Sequence, residues 1–337
     1  MPTMTAKSTL LLLLAGAAAC AGDQDPMAPD AGAVTASPVT ESPAAPELLT
    51  AGTGPRILFS SARSGGLDIY RMAPDGTGVV RLTSFSGPEV SPAWSWDNNR
   101  IALVRDRLYG SSAIHHDIYL MNADGTGKKW ARSSATDYDV TDPSWSKDGT
   151  RLAVTVWLGE ARGGLPGTPY LATMTVANGN MGFVLSAGTV LVAFTPSFDP
   201  TGKKIAYSGE DGLSLEMVNA DGTGHKTLVQ ATRVGGIPTG NFASPVFSPD
   251  GKRIAYAKSN ASNWDIYVMS LVDGTTKRLT TNAAPDMHPT WSADGSKIAF
   301  TSSRSGAVQV WTVPSNGGTQ VRITNTSVTE QTPAWSH

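Results

Sequence analysis

The stretch Ser248-Pro249-Asp250-Gly251-Lys252-Arg253-Ile254-Ala255-Tyr256, followed by Asp265-Ile266-Tyr267-Val268-Met269, decides the fold. Pro249 presets φ for a type I turn and Gly251 supplies the positive φ that closes it. The flanking apolar runs therefore read as two strands joined by a tight turn, with a third strand beginning at Asp265. In that third strand Ile266 and Val268 point one way, and Tyr267 and Met269 point the other. A sheet with one wet face alternates apolar and polar; this one is apolar on both faces, as a sheet packed between two others must be.

The same pattern recurs along the chain. Its copies begin at Pro92-Ala93-Trp94-Ser95, Pro143-Ser144-Trp145-Ser146, Pro196-Ser197-Phe198-Asp199, Pro245-Val246-Phe247-Ser248, Pro289-Thr290-Trp291-Ser292 and Pro333-Ala334-Trp335-Ser336. The prolines are 51, 53, 49, 44 and 44 residues apart, spacings that suit a four-stranded propeller blade of about 40–50 residues. The last copy is a first strand with nothing after it, and Arg56-Ile57-Leu58-Phe59 is a second strand with nothing before it. Joined, they make one blade. The reading is an all-β, six-bladed β-propeller of four-stranded antiparallel blades, its ring closed by a C-terminal strand joining N-terminal strands. Trp94, Trp145, Phe198, Phe247, Trp291 and Trp335 recur in register and are expected in the core between blades. Asp68, Asp117 and Asp265 recur at one strand start and are expected to make a structural hydrogen bond.

The repeat unit resembles the WD40-like (PD40) repeat of the TolB family propellers over nearly all of residues 55–337. The resemblance implies a fold, not a function, because translocation accessories, peptidase propellers and sugar-processing enzymes share the repeat. TolB itself carries an additional N-terminal α/β domain, where this chain has a tether of about 34 residues. A relative of TolB is therefore the expectation.

The N-terminal region reads differently. Lys7 precedes an apolar run from Leu10 to Ala19. That is about half the roughly 20 residues a membrane helix needs, so 1–20 reads as a signal peptide. Ala17-Ala18-Ala19-Cys20 resembles a bacterial lipoprotein signal, which implies acylation of Cys20, the single cysteine. Ala17 stands where such signals usually carry Leu, which leaves cleavage by the ordinary signal peptidase as the alternative. Residues 21–54 hold five acids, five prolines and no base, without apolar periodicity, and read as a disordered tether. The domain organisation is thus signal 1–20, tether 21–54 and propeller 55–337.

Composition narrows the function. Over 337 residues the net charge is −2, which gives no support to a nucleic-acid partner. One cysteine excludes an intrachain disulfide and a cysteine zinc cluster. No G-x-S-x-G elbow, H-E-x-x-H, Walker A or alternating Asp/Asn calcium loop occurs, so neither a cofactor nor a metal is expected. In an antiparallel meander the segments entering the first strands and the links between second and third strands lie at one end. Length variation falls there, on 105–116, 158–169 and 259–264, and variable loops on a uniform scaffold carry binding. The segments entering the first strands place Glu89, Asp139, Asp142, Asp286, His288 and Glu330 at the channel mouth. Such a ring suits a cationic group, a metal or a sugar, or is a set of solvated residues capping strand ends. Arg105, Tyr109, His115, His116, Tyr138, Trp157 and Arg162 are the candidate partner-binding residues of the loops. His115-His116 reads as an exposed loop pair rather than a metal pair.

The leading expectation is an exported, monomeric, non-catalytic propeller, lipid-anchored in the cell envelope through Cys20, that binds a protein or envelope component. The rival is a glycan- or peptide-processing enzyme using channel-mouth carboxylates as acid and base; a sensor closing over a small molecule in the channel is the third reading.

Overall fold

The computed structural model describes residues 54–109, 113–132, 139–158, 167–209, 212–234, 237–260 and 263–337. Six four-stranded antiparallel sheets follow one another among them. Blade 1 pairs Glu330–Trp335 with Ile57–Ser61, Asp68–Met72 and Val80–Arg81. Blade 2 runs Glu89–Trp94, Arg100–Tyr109, Ala113–Asn122 and Lys129–Trp130; blade 3 runs Asp139–Trp145, Arg151–Leu158, Thr168–Thr175 and Met181–Phe183. Blade 4 comprises Phe194–Phe198, Lys204–Ser208, Ser214–Asn219 and Lys226–Gln230, and blade 5 Phe242–Phe247, Arg253–Asn260, Asn263–Ser270 and Thr276–Arg278. Blade 6 is Asp286–Trp291, Lys297–Ser305, Ala307–Pro314 and Val321–Arg322. Short hairpins, Leu185–Ser186 with Thr189–Val190 and Arg233–Val234 with Ile237–Pro238, lead into blades 4 and 5.

The ring closes as its ends predict. Ile57 pairs with Trp335, Leu58 with Ala334, Ser60 with Gln331 and Ser61 with Glu330. Each first strand touches the first strands of both neighbouring blades, so these six strands form the inner wall. The six recurring aromatics are buried between blades. The Trp145 indole N–H donates to the Ala93 carbonyl (3.1 Å) and the Trp291 N–H to that of Val246 (3.0 Å), tying blade 3 to blade 2 and blade 6 to blade 5. Fully burying a large apolar side chain of this kind is worth about 1.5–3 kcal/mol, and the small Ala102, Ala153, Ala206, Ala255 and Ala299 allow the sheets to approach.

The Ser-x-Asp-Gly turns hold the far end of each blade by one recurring set of bonds. The Ser146 hydroxyl donates to Asp148 (2.6 Å) and accepts from the Arg151 N–H (3.0 Å), while Asp148 accepts from the Thr150 N–H (3.0 Å). Hydrogen bonds from Ser146 and Thr150 hold the Asp148 carboxyl down at about 2, and the equivalent set at Ser292 and Ser296 does the same for Asp294. Gly149, Gly251 and Gly295 close the turns at φ 65–67°.

One expectation is corrected here. The segments 105–116 and 259–264 are largely not loops. Asp106 pairs with His116, Arg107 with His115 and Tyr109 with Ala113, and Ser259 pairs with Trp264. Second and third strands simply run on past the blade body, because backbone groups leaving the sheet are most readily satisfied by continuing the ladder.

Candidate functional site

The residue before the repeat proline is left-handed in every blade. Ser91, Asp142, Thr195, Ser244, His288 and Thr332 have φ between 48° and 54°. The ladder shifts register across this residue in every blade, so each inner strand carries a β-bulge there. All six residues are half-buried between a buried proline on one side and largely buried residues on the other, so solvent reaches the inner wall at this level. The bulges are stitched around the ring: the Ser91 N–H donates to Thr332 Oγ1 (3.3 Å) and the Ser244 N–H to Thr195 Oγ1 (3.0 Å). Of the six side chains only those of Asp142 and His288 ionise, and in ring order each is the third blade from the other, on opposite sides of the channel.

Burial governs both. It raises the Asp142 carboxyl, which receives a hydrogen bond from Thr141 Oγ1 (2.9 Å). It lowers His288 to about 4, so this imidazole is neutral at pH 7 and shares a hydrogen bond with Thr301 Oγ1 (3.1 Å).

Three other sequence-derived candidates are spent internally. Glu330, Glu89 and Asp286 have no exposed side-chain surface. Arg63 reaches Glu330 at 2.7 Å, Arg304 reaches Asp286 at 2.6 Å, and Arg105 lies 3.8 Å from Glu89. These cations also stack on strand-three aromatics: Arg63 on Tyr70, Arg105 on Tyr119 and Arg304 on Trp311. The recurrent strand-three acids are held the same way, Asp68 by Arg81 (2.9 Å), Asp117 by Arg132 (2.9 Å) and Asp265 by Arg278 (2.7 Å). Glu89 abuts Asp68 and is pushed up to about 8, first by burial, with the Asp68 charge adding and Thr83 and Arg105 opposing.

The remaining candidates converge at the rim of blades 2 and 3. Asp139 Oδ1 accepts from His115 Nδ1 (3.1 Å) and from the His116 backbone N–H (2.9 Å). His116 Nδ1 bonds Asp106 (2.8 Å). That bond raises the His116 pKa, against the effect of burial, and the charges of Asp139 and Asp142 add to it. Trp157 pairs with Asp139 across the strands, donates its indole N–H to Thr141 Oγ1 (3.1 Å) and meets Phe194 edge-on at 5.6 Å. Adjacent strand residues face opposite ways, so His115 and His116 do not chelate together, and among the described residues no three His, Cys, Asp or Glu side chains are placed to hold a metal.

Arg105, expected on a partner loop, is a structural cation beneath the rim. Tyr109 lies at the end of its strand. Tyr138, Arg162 and Cys20 lie outside the described residues. Sequence reasoning passed over Ser91, Thr195, Ser244 and Thr332; their signal was their place before each repeat proline.

A protein-family model described as the TolB beta propeller domain (PD40) matches residues 164–337. The Tol-Pal system protein TolB of Francisella tularensis subsp. holarctica (strain OSU18) is 36% identical over 222 residues, covering 66% of this chain and 47% of that protein. The chain thus spans about half the length of the curated relatives it matches. The crystal structure of TolB from Acinetobacter baumannii superposes with a TM-score of 0.66 at 19% identity, over 83% of this chain and 66% of that one. An oligogalacturonate lyase from Vibrio parahaemolyticus superposes at 0.53 and 14% identity, over 79% and 73%. At such identities the structures share the fold alone.

Proposed function

This chain belongs to the TolB beta propeller domain family, and from that premise we propose that it is an exported, non-catalytic docking protein of the cell envelope. It binds a protein partner through the end of the ring where Asp106, Asp139, Asp142, His115, His116 and Trp157 gather. The observation that carries this reading is the division among its acids. Among the described residues six acids at this end are buried against arginines, whereas Asp106 and Asp139 are part-exposed and paired with histidines, and Asp142 is half-buried without an arginine. A part-exposed polar set beside an aromatic is the composition of a recognition surface. The Tol-Pal system named for its relatives supports an envelope assembly as the setting. The Ala19-Cys20 junction supports acylation and a membrane anchor.

The test is affinity capture from a detergent-solubilised envelope fraction of the native organism, with partners identified by mass spectrometry. Trp157→Ala with Asp139→Asn should lose a partner that wild type retains, and Asp148→Asn on the opposite end should keep it. Equal capture by all three refutes the assigned face. Mass spectrometry of the mature N-terminus decides the anchor: an unmodified terminus beyond Cys20 removes it.

A further inference from the structure

We propose that two copies of this chain pair edge to edge through the outer strand of blade 3, Met181–Phe183, about a two-fold axis at Gly182. The pairing lies on the outer wall of the ring and is independent of the docking-face reading.

An outer strand presents a row of unpaired N–H and C=O groups, and folded proteins guard such edges with charge, lysine above all. Five of the six outer strands here are guarded in that way. Val80–Arg81, Lys129–Trp130, Lys226–Gln230, Thr276–Arg278 and Val321–Arg322 each carry an arginine or a lysine. Met181–Phe183 carries neither. The chain has no Asp, Glu, Lys, Arg or His from Gly163 to Phe198. Neither the adjoining strand Thr168–Thr175 nor the hairpin that follows therefore supplies the missing charge.

The unguarded edge is also apolar and open. Phe183 is 43% exposed and Leu185 46%, and no other aromatic side chain among those described is exposed. Tyr170 meets the Phe183 ring edge-on with centroids 6.1 Å apart, which supports it against the sheet. A Cβ at Gly182 would meet nothing within 4 Å. The Val184 N–H is spent inward on the Leu171 carbonyl (3.0 Å), and the Asn180 carbonyl accepts the Thr175 N–H (2.8 Å). Successive residues of a strand turn their backbone groups to opposite sides, so Gly182 also bonds inward, and Met181 and Phe183 offer theirs outward.

Charge selects the occupant. In an antiparallel pair about a two-fold at Gly182, Met181 of one copy faces Phe183 of the other, and each such pair exchanges two backbone hydrogen bonds. Gly182 faces Gly182 with no side chains to collide, and each Phe183 ring lies beside a methionine sulfur of the other copy. Isologous pairing sets like against like, so charges on the strand would face their own sign at close range. A strand without charge escapes that cost. A lipid surface calls for basic residues beside the apolar ones, and a charged partner for a counter-charge; this edge has neither.

The experiment measures the mass of the full chain, purified in mild detergent, by light scattering after size-exclusion chromatography over a concentration series. Wild type should approach the mass of two chains as concentration rises. Phe183→Lys gives blade 3 the guard that the other blades carry and should stay at one chain, with its circular dichroism unchanged. Gly182→Cys, oxidised in membranes of the producing cells, should form a disulfide-linked pair. Facing residues at such a position have Cα atoms about 4.5 Å apart, within disulfide reach. Val272→Cys, on an exposed turn of blade 5, should not cross-link, and wild type, with Cys20 alone, is the blank. One-chain mass for wild type at every concentration, equal association of wild type and Phe183→Lys, or equal cross-linking of the two cysteine variants overturns the proposal. A Gly182→Cys cross-link only to a different protein assigns the edge to a partner's strand and overturns it as well.

Discussion

Asn98 and His337 exchange two hydrogen bonds across 239 residues of sequence. The Asn98 amide donates to the His337 carbonyl (2.6 Å), and the His337 N–H donates to Asn98 Oδ1 (2.9 Å). The His337 ring stacks on Trp96, with centroids 3.8 Å apart and planes 8° from parallel. Blade 1 is therefore fastened to blade 2 by side chains as well as closed within itself by strand pairing.

Asn98 is left-handed, with φ 56°, which separates two contributions to that clasp. Asn98→Gly keeps the backbone and removes the bonds, and should lower stability by about 1–2 kcal/mol. Asn98→Ala adds the left-handed cost and should lose about 1 kcal/mol more. Urea unfolding monitored by tryptophan fluorescence measures both; equal losses would assign the whole effect to the bonds.

Thr332 Oγ1 accepts from Ser91 of the next blade and bonds Ser60 of its own. Thr332→Val keeps the shape and strands the Ser91 N–H, so it should cost about 1–3 kcal/mol. Thr332→Ser retains the oxygen and should cost under about 1 kcal/mol. The same unfolding midpoints rank them, and a Val variant as stable as wild type would show that the stitch contributes nothing.

Glu89 is raised from its ordinary range to about 8. The folded chain therefore holds a proton that the unfolded chain releases near pH 4.5. Stability from this group is complete below that value and falls as pH rises toward 8, by at most about 1.4 kcal/mol per pH unit. Glu89→Gln should flatten the stability profile between pH 5 and 8 relative to wild type. Parallel profiles for the two proteins would place the Glu89 pKa near normal.

His116 has its pKa raised by Asp106. A raised histidine stabilises the fold below about pH 6.5 and loses that contribution as pH climbs through the folded value. In Asp106→Asn the His116 Cε1–H resonance should titrate at lower pH than in wild type. An unchanged NMR titration would show that Asp106 does not hold the proton.

The propeller was legible in the chain because each repeat carries its own instructions. Pro249, Asp250 and Gly251 dictate a turn, Ile254 and Ala255 a buried strand, and Asp265 to Met269 a strand apolar on both faces. The recurrent Asp68, Asp117 and Asp265 announced a structural bond, and arginines answer all three. Legibility failed where extent mattered: nothing in Arg105 to His116 says that pairing continues through Asp106 and His116 rather than opening into a loop.

Glu89, Asp142, Asp286 and Glu330 look alike in sequence, four acids near a repeat proline. Three stand three residues before it and Asp142 one residue before it, on the bulge. Local chemistry determined the turns, the strands, the number of blades and the seam, since those depend on residues a few positions apart. Tertiary structure alone decided which acid keeps a cation and which does not, and that Asp142 faces across to His288. Ion pairing and opposition are set by distances through space, which a closed ring fixes only when all six blades are in place.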